Sequence, residues 1–180
     1  VSTYPRWTYY PTRDPAPEWV TDIVGAVAQV QGELDSAKVR SLTSDRALSI
    51  LRPGLEVVGF RIETGKAAAD RITLPVLFGE QGLPRVRYDV DGVHDELGVL
   101  LEVEAGRGAR GNAVYRDLVR TSLIVNARFL ALGVMQEYHH KSSGKPIIVR
   151  SYDDAKDQID AIYASQRLRL PFAGVLLFGY

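Results

Sequence analysis

The stretch RVRYDVDGVHDELGVLLEVEAG, residues 85–106, decides the reading of this chain. Its first nine residues alternate, with Val86, Tyr88 and Val90 on one side and Arg87, Asp89 and Asp91 on the other, the period of a half-buried strand. HDEL is a turn. GVLLEVEAG, 98–106, is then the antiparallel partner of a hairpin. Residues two apart on a strand point the same way, so Glu102 and Glu104 share one face while Val103 turns to the core. Asp89 and Asp91 share a face for the same reason. A turn centred near Glu96 sets Asp91 opposite Glu102 and Asp89 opposite Glu104, with facing side chains about 5 Å apart. Carboxylates that close repel one another unless a cation lies between them. Hard oxygen ligands select Mg²⁺ or Mn²⁺ rather than zinc. The expected ligands are Asp91 and Glu102 with Asp89, and Asp91, Glu102 and Glu104 are the expected catalytic carboxylates. The alternative is a solvated acidic hairpin face that needs no metal.

The charges on either side of this hairpin segregate. Six carboxylates fall between Arg85 and Glu104, and five arginines against the single Asp117 fall between Arg107 and Arg128. Seventeen of the 22 basic residues are arginine, the better partner for planar anions. The glycine-rich GRGARGN carries Arg107 and Arg110, and Asn112 stands where a helix cap is expected. The helix AVYRDLVRTSLIVNA, with Val114, Leu118, Thr121 and Val125 on one side, places Arg116 and Arg120 four apart. Arg107, Arg110, Arg116 and Arg120 are the expected contacts to a nucleic-acid backbone. A carboxylate-held metal orients and deprotonates water and stabilises charge on a phosphoryl oxygen. Acids and arginines together predict metal-dependent phosphodiester hydrolysis on nucleic acid.

Outward from this centre the chain reads as α/β. Residues 1–17, broken by Pro5, Pro11, Pro15 and Pro17, are expected as an irregular arm ahead of one domain, 18–180. Helices are expected from 18 to about 30 and from about Glu33 to Leu51, the second stopped by Arg52-Pro53-Gly54. Strands are expected at 55–63, at 72–78 with Pro75 marking an edge or bulge, and at 128–138. His139 to Lys145 reads as a loop, PIIVR as a short strand, 152–165 as a helix and PFAGVLLFGY as a closing strand. Alternating helices and strands with one hairpin make a mixed central sheet flanked by helices.

With no cysteine in 180 residues, disulfides, thiolate catalysis and Cys-ligated metals are excluded. Equal numbers of basic and acidic residues, 22 each, are unlike a strongly basic nucleic-acid domain. The aromatic, proline-broken start is unlike a secretory leader, and the apolar runs are too short to span a bilayer, so no membrane partner and a cytoplasmic setting are expected. Gly65-Lys66 lacks the rest of a phosphate-binding loop. Glu63 is a further acid if its strand neighbours the hairpin. His94 falls on the wrong strand face to reach a metal at Asp91, and His139-His140 reads as an exposed loop. Tyr4, Trp7, Tyr9 and Tyr10 have three roles open to them: stacking on bases, swapping onto a second subunit of a homodimer, or folding back over their own domain.

DVDG, a turn, GVLLEVEAG and YRDL on the following helix together resemble the PD-(D/E)xK nuclease superfamily, the restriction-endonuclease-like fold. The motif is closest to its BamHI- and BglII-like members, in which the usual lysine is replaced. The resemblance is best over 85–137. It implies that Asp91 is the metal-binding aspartate, with Asp89 as the alternative match, that Glu102 is the acidic ligand, and that Glu104 stands in the lysine position. It implies a Mg²⁺-dependent endonuclease, with DNA ahead of RNA as substrate. Val90 replaces the motif's proline, and the lysine is missing, which removes a cationic neighbour from the attacking water. Some members of the superfamily have lost catalysis, so a noncatalytic nucleic-acid-binding or protein-interaction module is the alternative.

Overall fold

The computed structural model describes residues 4–106, 112–165 and 167–180. Along the chain it forms β1 (Arg6–Tyr10), α1 (Glu18–Gln29), α2 (Gln31–Leu34), α3 (Ser44–Val57), β2 (Arg61–Ile62), β3 (Ile72–Phe78), β4 (Pro84–Val90) and β5 (Gly92–His94). Then come β6 (Val99–Glu104), α4 (Ala113–Ser122), β7 (Phe129–Val134), β8 (Tyr138–Ser142), β9 (Lys145–Val149), α5 (Ser151–Ser165) and β10 (Gly174–Gly179). The main sheet has the order β1-β10-β7-β6-β5-β2. Strands β6, β7 and β10 are parallel, while β1, β5 and β2 pair antiparallel. The expected mixed sheet flanked by helices is therefore present.

The parallel strands are buried on both faces, which is why VLLEVE, FLALGV and GVLLFG read as nearly continuous apolar runs. Period two splits them between two cores. Val99, Leu101 and Val103 join Trp19, Val20 and Ile23 of α1 and Leu48, Leu51 and Leu55 of α3. Leu100, Leu130 and Leu132 face Val114 and Leu118 of α4 and Ile159 of α5. Glu102 and Glu104 follow Leu100 on this second face. Close packing also fixes a glycine: a Cβ on Gly133 would lie 2.5 Å from the Phe178 ring of the neighbouring strand.

Several local expectations are corrected. Residues 6–10 are not irregular: β1 pairs with β10, and Tyr9 and Tyr10 are buried one in each core, so the arm closes an edge of its own sheet. The second helix begins at Ser44, where the Thr43 side chain accepts from the Arg46 N–H at 3.2 Å, and it runs through Pro53 to Val57. An interior proline costs about 3 kcal/mol. Burying Leu51 and Leu55 returns about 1.5–3 kcal/mol each. Gly54 forms the notch where α3 meets α1, since a Cβ there would lie 3.1 Å from that of Ala26. Of the strand expected at 55–63, only Arg61 and Ile62 pair.

The long hairpin divides in two. β4 takes β3 as its partner, with Thr73 opposite Asp89 and a bulge beside Pro75 as expected. Only β5 pairs with β6, in the register Gly92↔Leu101 and Val93↔Leu100. Asp91 is the junction residue. Asn112 precedes α4 with φ +61° and makes no side-chain cap, and the helix ends at Ser122, leaving Val125 outside it. Residues 139–145 are not a loop: β8 and β9 form a hairpin around Ser143-Gly144, both at positive φ as a tight two-residue turn requires. Among the described residues, no helix is long and apolar enough to cross a membrane.

Candidate metal centre

Asp91, Glu102 and Glu104 come together. They line one cavity of about 340 Å³ with Ser44, Glu63, Lys66, Arg71, Asp89, Val90, Val103, Arg116 and Arg120. The cavity opens where β6 ends and β5 begins. The β5–β6 register, continued by one residue, sets Asp91 opposite Glu102 as expected. Asp91 is held by its own hairpin, because its Oδ2 accepts the Val103 N–H at 2.7 Å.

Asp89 does not face Glu104. Its strand has turned to β3, and its carboxylate accepts from Thr73 Oγ1 at 2.8 Å and from Arg71 at 3.2 Å. It stays on the cavity rim. Asp91 is thus the better placed of the two aspartates. Glu63 joins them: its N–H donates to the Asp91 carbonyl at 2.9 Å, and its buried carboxylate accepts from Lys66 Nζ at 2.7 Å.

The site includes two residues whose role the linear pattern did not reveal. Asp117 on α4, 1% exposed, stands among the cluster's negative charges. Its only local signal was its isolation among arginines. Lys66, in the loop after β2, also reaches Asp45 Oδ1 at 3.0 Å, and both acids push its pKa upward. Its loop is closed by Thr64 N–H on the Asp70 carbonyl at 3.0 Å and by Arg71 Nε on the Lys66 carbonyl at 2.8 Å.

The arginines divide. Arg116 turns inward: it donates to Glu104, and its Nε donates to Asp117 Oδ1 at 2.9 Å. Arg116, expected as a backbone contact, is thus placed against two carboxylates of the site. Arg120 packs over the Tyr88 ring at 5.4 Å and donates to the Asp89 carbonyl at 3.3 Å. Arg107 and Arg110 lie outside the described residues.

Crowding of like charges in a buried place governs the electrostatics. Burial, opposed by the Val103 N–H, and the nearby Glu63 push the Asp91 carboxyl up to about 6. Burial, then Asp91 and Asp117, raise Glu102 well above the ordinary carboxylate range. Burial and Asp117 bring Glu104 up to about 7. Asp91, Glu63 and Asp89 lean toward separate donors while Glu104 and Asp117 share Arg116, and among the described residues no three His, Asp or Glu side chains converge on one point. The donor chemistry still fits a hard divalent ion: oxygen-only ligands, burial, and repulsion that a cation relieves. The histidines are elsewhere, His94 packed edge-on against Phe60, His139 on Glu137 and His140 stacked on Tyr138. A larger cavity of about 860 Å³, lined by Tyr10, Tyr163 and Phe172, lies at the opposite end of the sheet, and its Asp160 is already held by Tyr10 and Lys156.

No family model matches the chain, and no curated protein or solved structure matches it.

Proposed function

We propose that this chain is a Mg²⁺- or Mn²⁺-dependent DNA endonuclease of the restriction-endonuclease-like kind, acting in the cytoplasm. The observation that carries the reading is the gathering of Asp91, Glu102, Glu104 and Glu63 in one cavity at the junction of β5 and β6. Its support is topological. Asp91 immediately ahead of β5, Glu102 and Glu104 with one spacer on β6, and α4 leading to the parallel strand β7 follow the strand, strand and helix succession on which the PD-(D/E)xK resemblance rests.

Asp91 and Glu102 would hold the ion, with Glu63 beside them. A bound Mg²⁺ supplies a lowered water pKa and charge stabilisation at a phosphoryl oxygen. Glu104, held up to about 7, can accept a proton from an attacking water near neutral pH. Lys66 brings the ammonium that the strand motif lacks, and it moderates the negative charge on Asp91. Arg116 steadies Glu104 and Asp117.

One observation favours a second reading, a noncatalytic module of the same build that binds nucleic acid or another protein. Arg116 already supplies a cation to Glu104, as a site that had lost its metal would require. Thermal unfolding in a Mn²⁺ or Mg²⁺ titration separates the two. The nuclease reading expects metal-dependent stabilisation that is lost in Glu102→Ala, with cleavage of a DNA duplex that needs the same ion. Stabilisation absent from the wild type, or equal in Glu102→Ala, refutes the metal site. Stabilisation without cleavage of duplex DNA, single-stranded DNA or RNA leaves the binding module.

A further inference from the structure

Arg116 and Arg120 are engaged within the site, which leaves a backbone grip to draw on cations around it. The main-sheet order places β6, with Glu102 and Glu104, between β5 and β7. β5 runs antiparallel to β6 and begins at its acidic end, and β4 leads directly into it. β7 runs parallel to β6, with Val134 beside Glu104, and it ends at that same place, where the chain goes on into β8. The two accessory hairpins therefore join the sheet on opposite sides of the acid cavity: β4 enters on the β5 side, its hairpin packed along α4 with the Pro75 carbonyl accepting from the Val125 N–H at 3.0 Å, and β8 follows on the β7 side. Tyr138, at the root of β8, lies 3.6 Å from where a Cβ on Gly106 would stand, two residues beyond Glu104.

Both hairpins carry unneutralised positive charge. On β4, strand period two puts the exposed Arg87 on the face of Asp89, which lines the cavity, and the exposed Arg85 follows at a bulge in the ladder, so the two extend that surface outward. From Tyr138 to Tyr152 the chain has Lys141, Lys145 and Arg150 and no carboxylate. Among the described residues none of these five cations makes an ion pair, and neither does Arg120 in the cavity, whereas Lys66, Arg71 and Arg116 around the acids do. Lys141 pairs across the ribbon with Pro146, and Lys145 with Ser142, so the two lysines point to opposite faces of a tip built from Ser142, Ser143, Gly144 and Pro146.

We propose that the hairpins β3–β4 and β8–β9 are two arms that grip the backbone of a DNA duplex on either side of the acid cavity. Arg85 and Arg87 follow one strand outward from the cavity. The slim β8–β9 tip enters the major groove, which admits a two-stranded ribbon, and Lys141 and Lys145 meet the phosphates of its two walls. The proposal rests on the nuclease reading and adds the substrate's form and the residues that hold it.

The test is binding of the full chain to a labelled mixed-sequence DNA duplex, followed by fluorescence anisotropy in EDTA over a range of salt concentrations. Each neutralised phosphate contributes about 0.9 to the slope of log affinity against log salt. Arg85→Ala with Arg87→Ala, and separately Lys141→Ala with Lys145→Ala, should each flatten that slope by about 2. Arg13→Ala, at the far end of the sheet, should leave it unchanged. An unchanged slope in both double variants overturns the proposal, as does tighter wild-type binding to a single strand than to the duplex. A wild type with no salt-dependent duplex binding overturns it too. Mn²⁺-dependent thermal stabilisation, measured on the same samples, should persist in every variant, and it reports separately whether the acid site stands.

Discussion

Asp91→Asn isolates the electrostatic cost of the cluster without disturbing its geometry, because an asparagine carbonyl can accept the same Val103 N–H. The carboxyl is raised from 3.8 to about 6 in the folded chain. The folded state therefore binds more protons than the unfolded state between those values, and its stability falls as pH rises through that window. Above it the ionised form costs the fold about 3 kcal/mol, an upper figure because Glu102 and Glu104 share the same proton balance. Without metal, the variant should be more stable than the wild type by up to about 3 kcal/mol at pH 8. The gain should shrink toward pH 4, where the folded-state group is protonated and the unfolded-state group only partly ionised. For a domain of this size that is an increase in Tm of roughly 6–12 °C at pH 8. The assay is differential scanning calorimetry in EDTA at pH 4.5 and pH 8. Mg²⁺ at 100 times Kd should close most of that gap, since it stabilises the wild type by about 2.7 kcal/mol and the variant has lost a ligand oxygen. A variant less stable than the wild type at pH 8 in EDTA, or one with the same gain at both pH values, refutes the reasoning.

Arg116→Ala leaves the buried Asp117 without its guanidinium and should destabilise the metal-free protein by about 1–3 kcal/mol, read from urea unfolding. It should also enlarge the stabilisation by Mn²⁺, because Glu104 is released to the ion, and unchanged metal stabilisation would show that the two cations do not compete. Gly133→Ala drives a methyl into the Phe178 ring and should cost about 1–3 kcal/mol in the same unfolding assay without changing metal stabilisation.

The orientation of the key side chains was legible in residues 85–106 alone. Strand period two is a property of the backbone, so Glu102 and Glu104 share a face and Val103 takes the other in any context that makes 99–104 a strand. The turn near Glu96 likewise determined the β5–β6 register, and with it the opposition of Asp91 to Glu102. Tertiary structure decided the choice of partners. β4 could pair with either neighbouring strand, and its union with β3 drew Asp89 away from Glu104. Glu63, Lys66 and Asp117 entered the site from elements that no short-range pattern relates to β6, and Arg116 was drawn inward because a buried carboxylate requires a cation more than water does. The amino-terminal aromatics show the same division. Their prolines argued against a regular element, but the exposed edge of β10 offered hydrogen bonds and two apolar faces that a short strand could cover, a reward visible only once the rest of the sheet is in place.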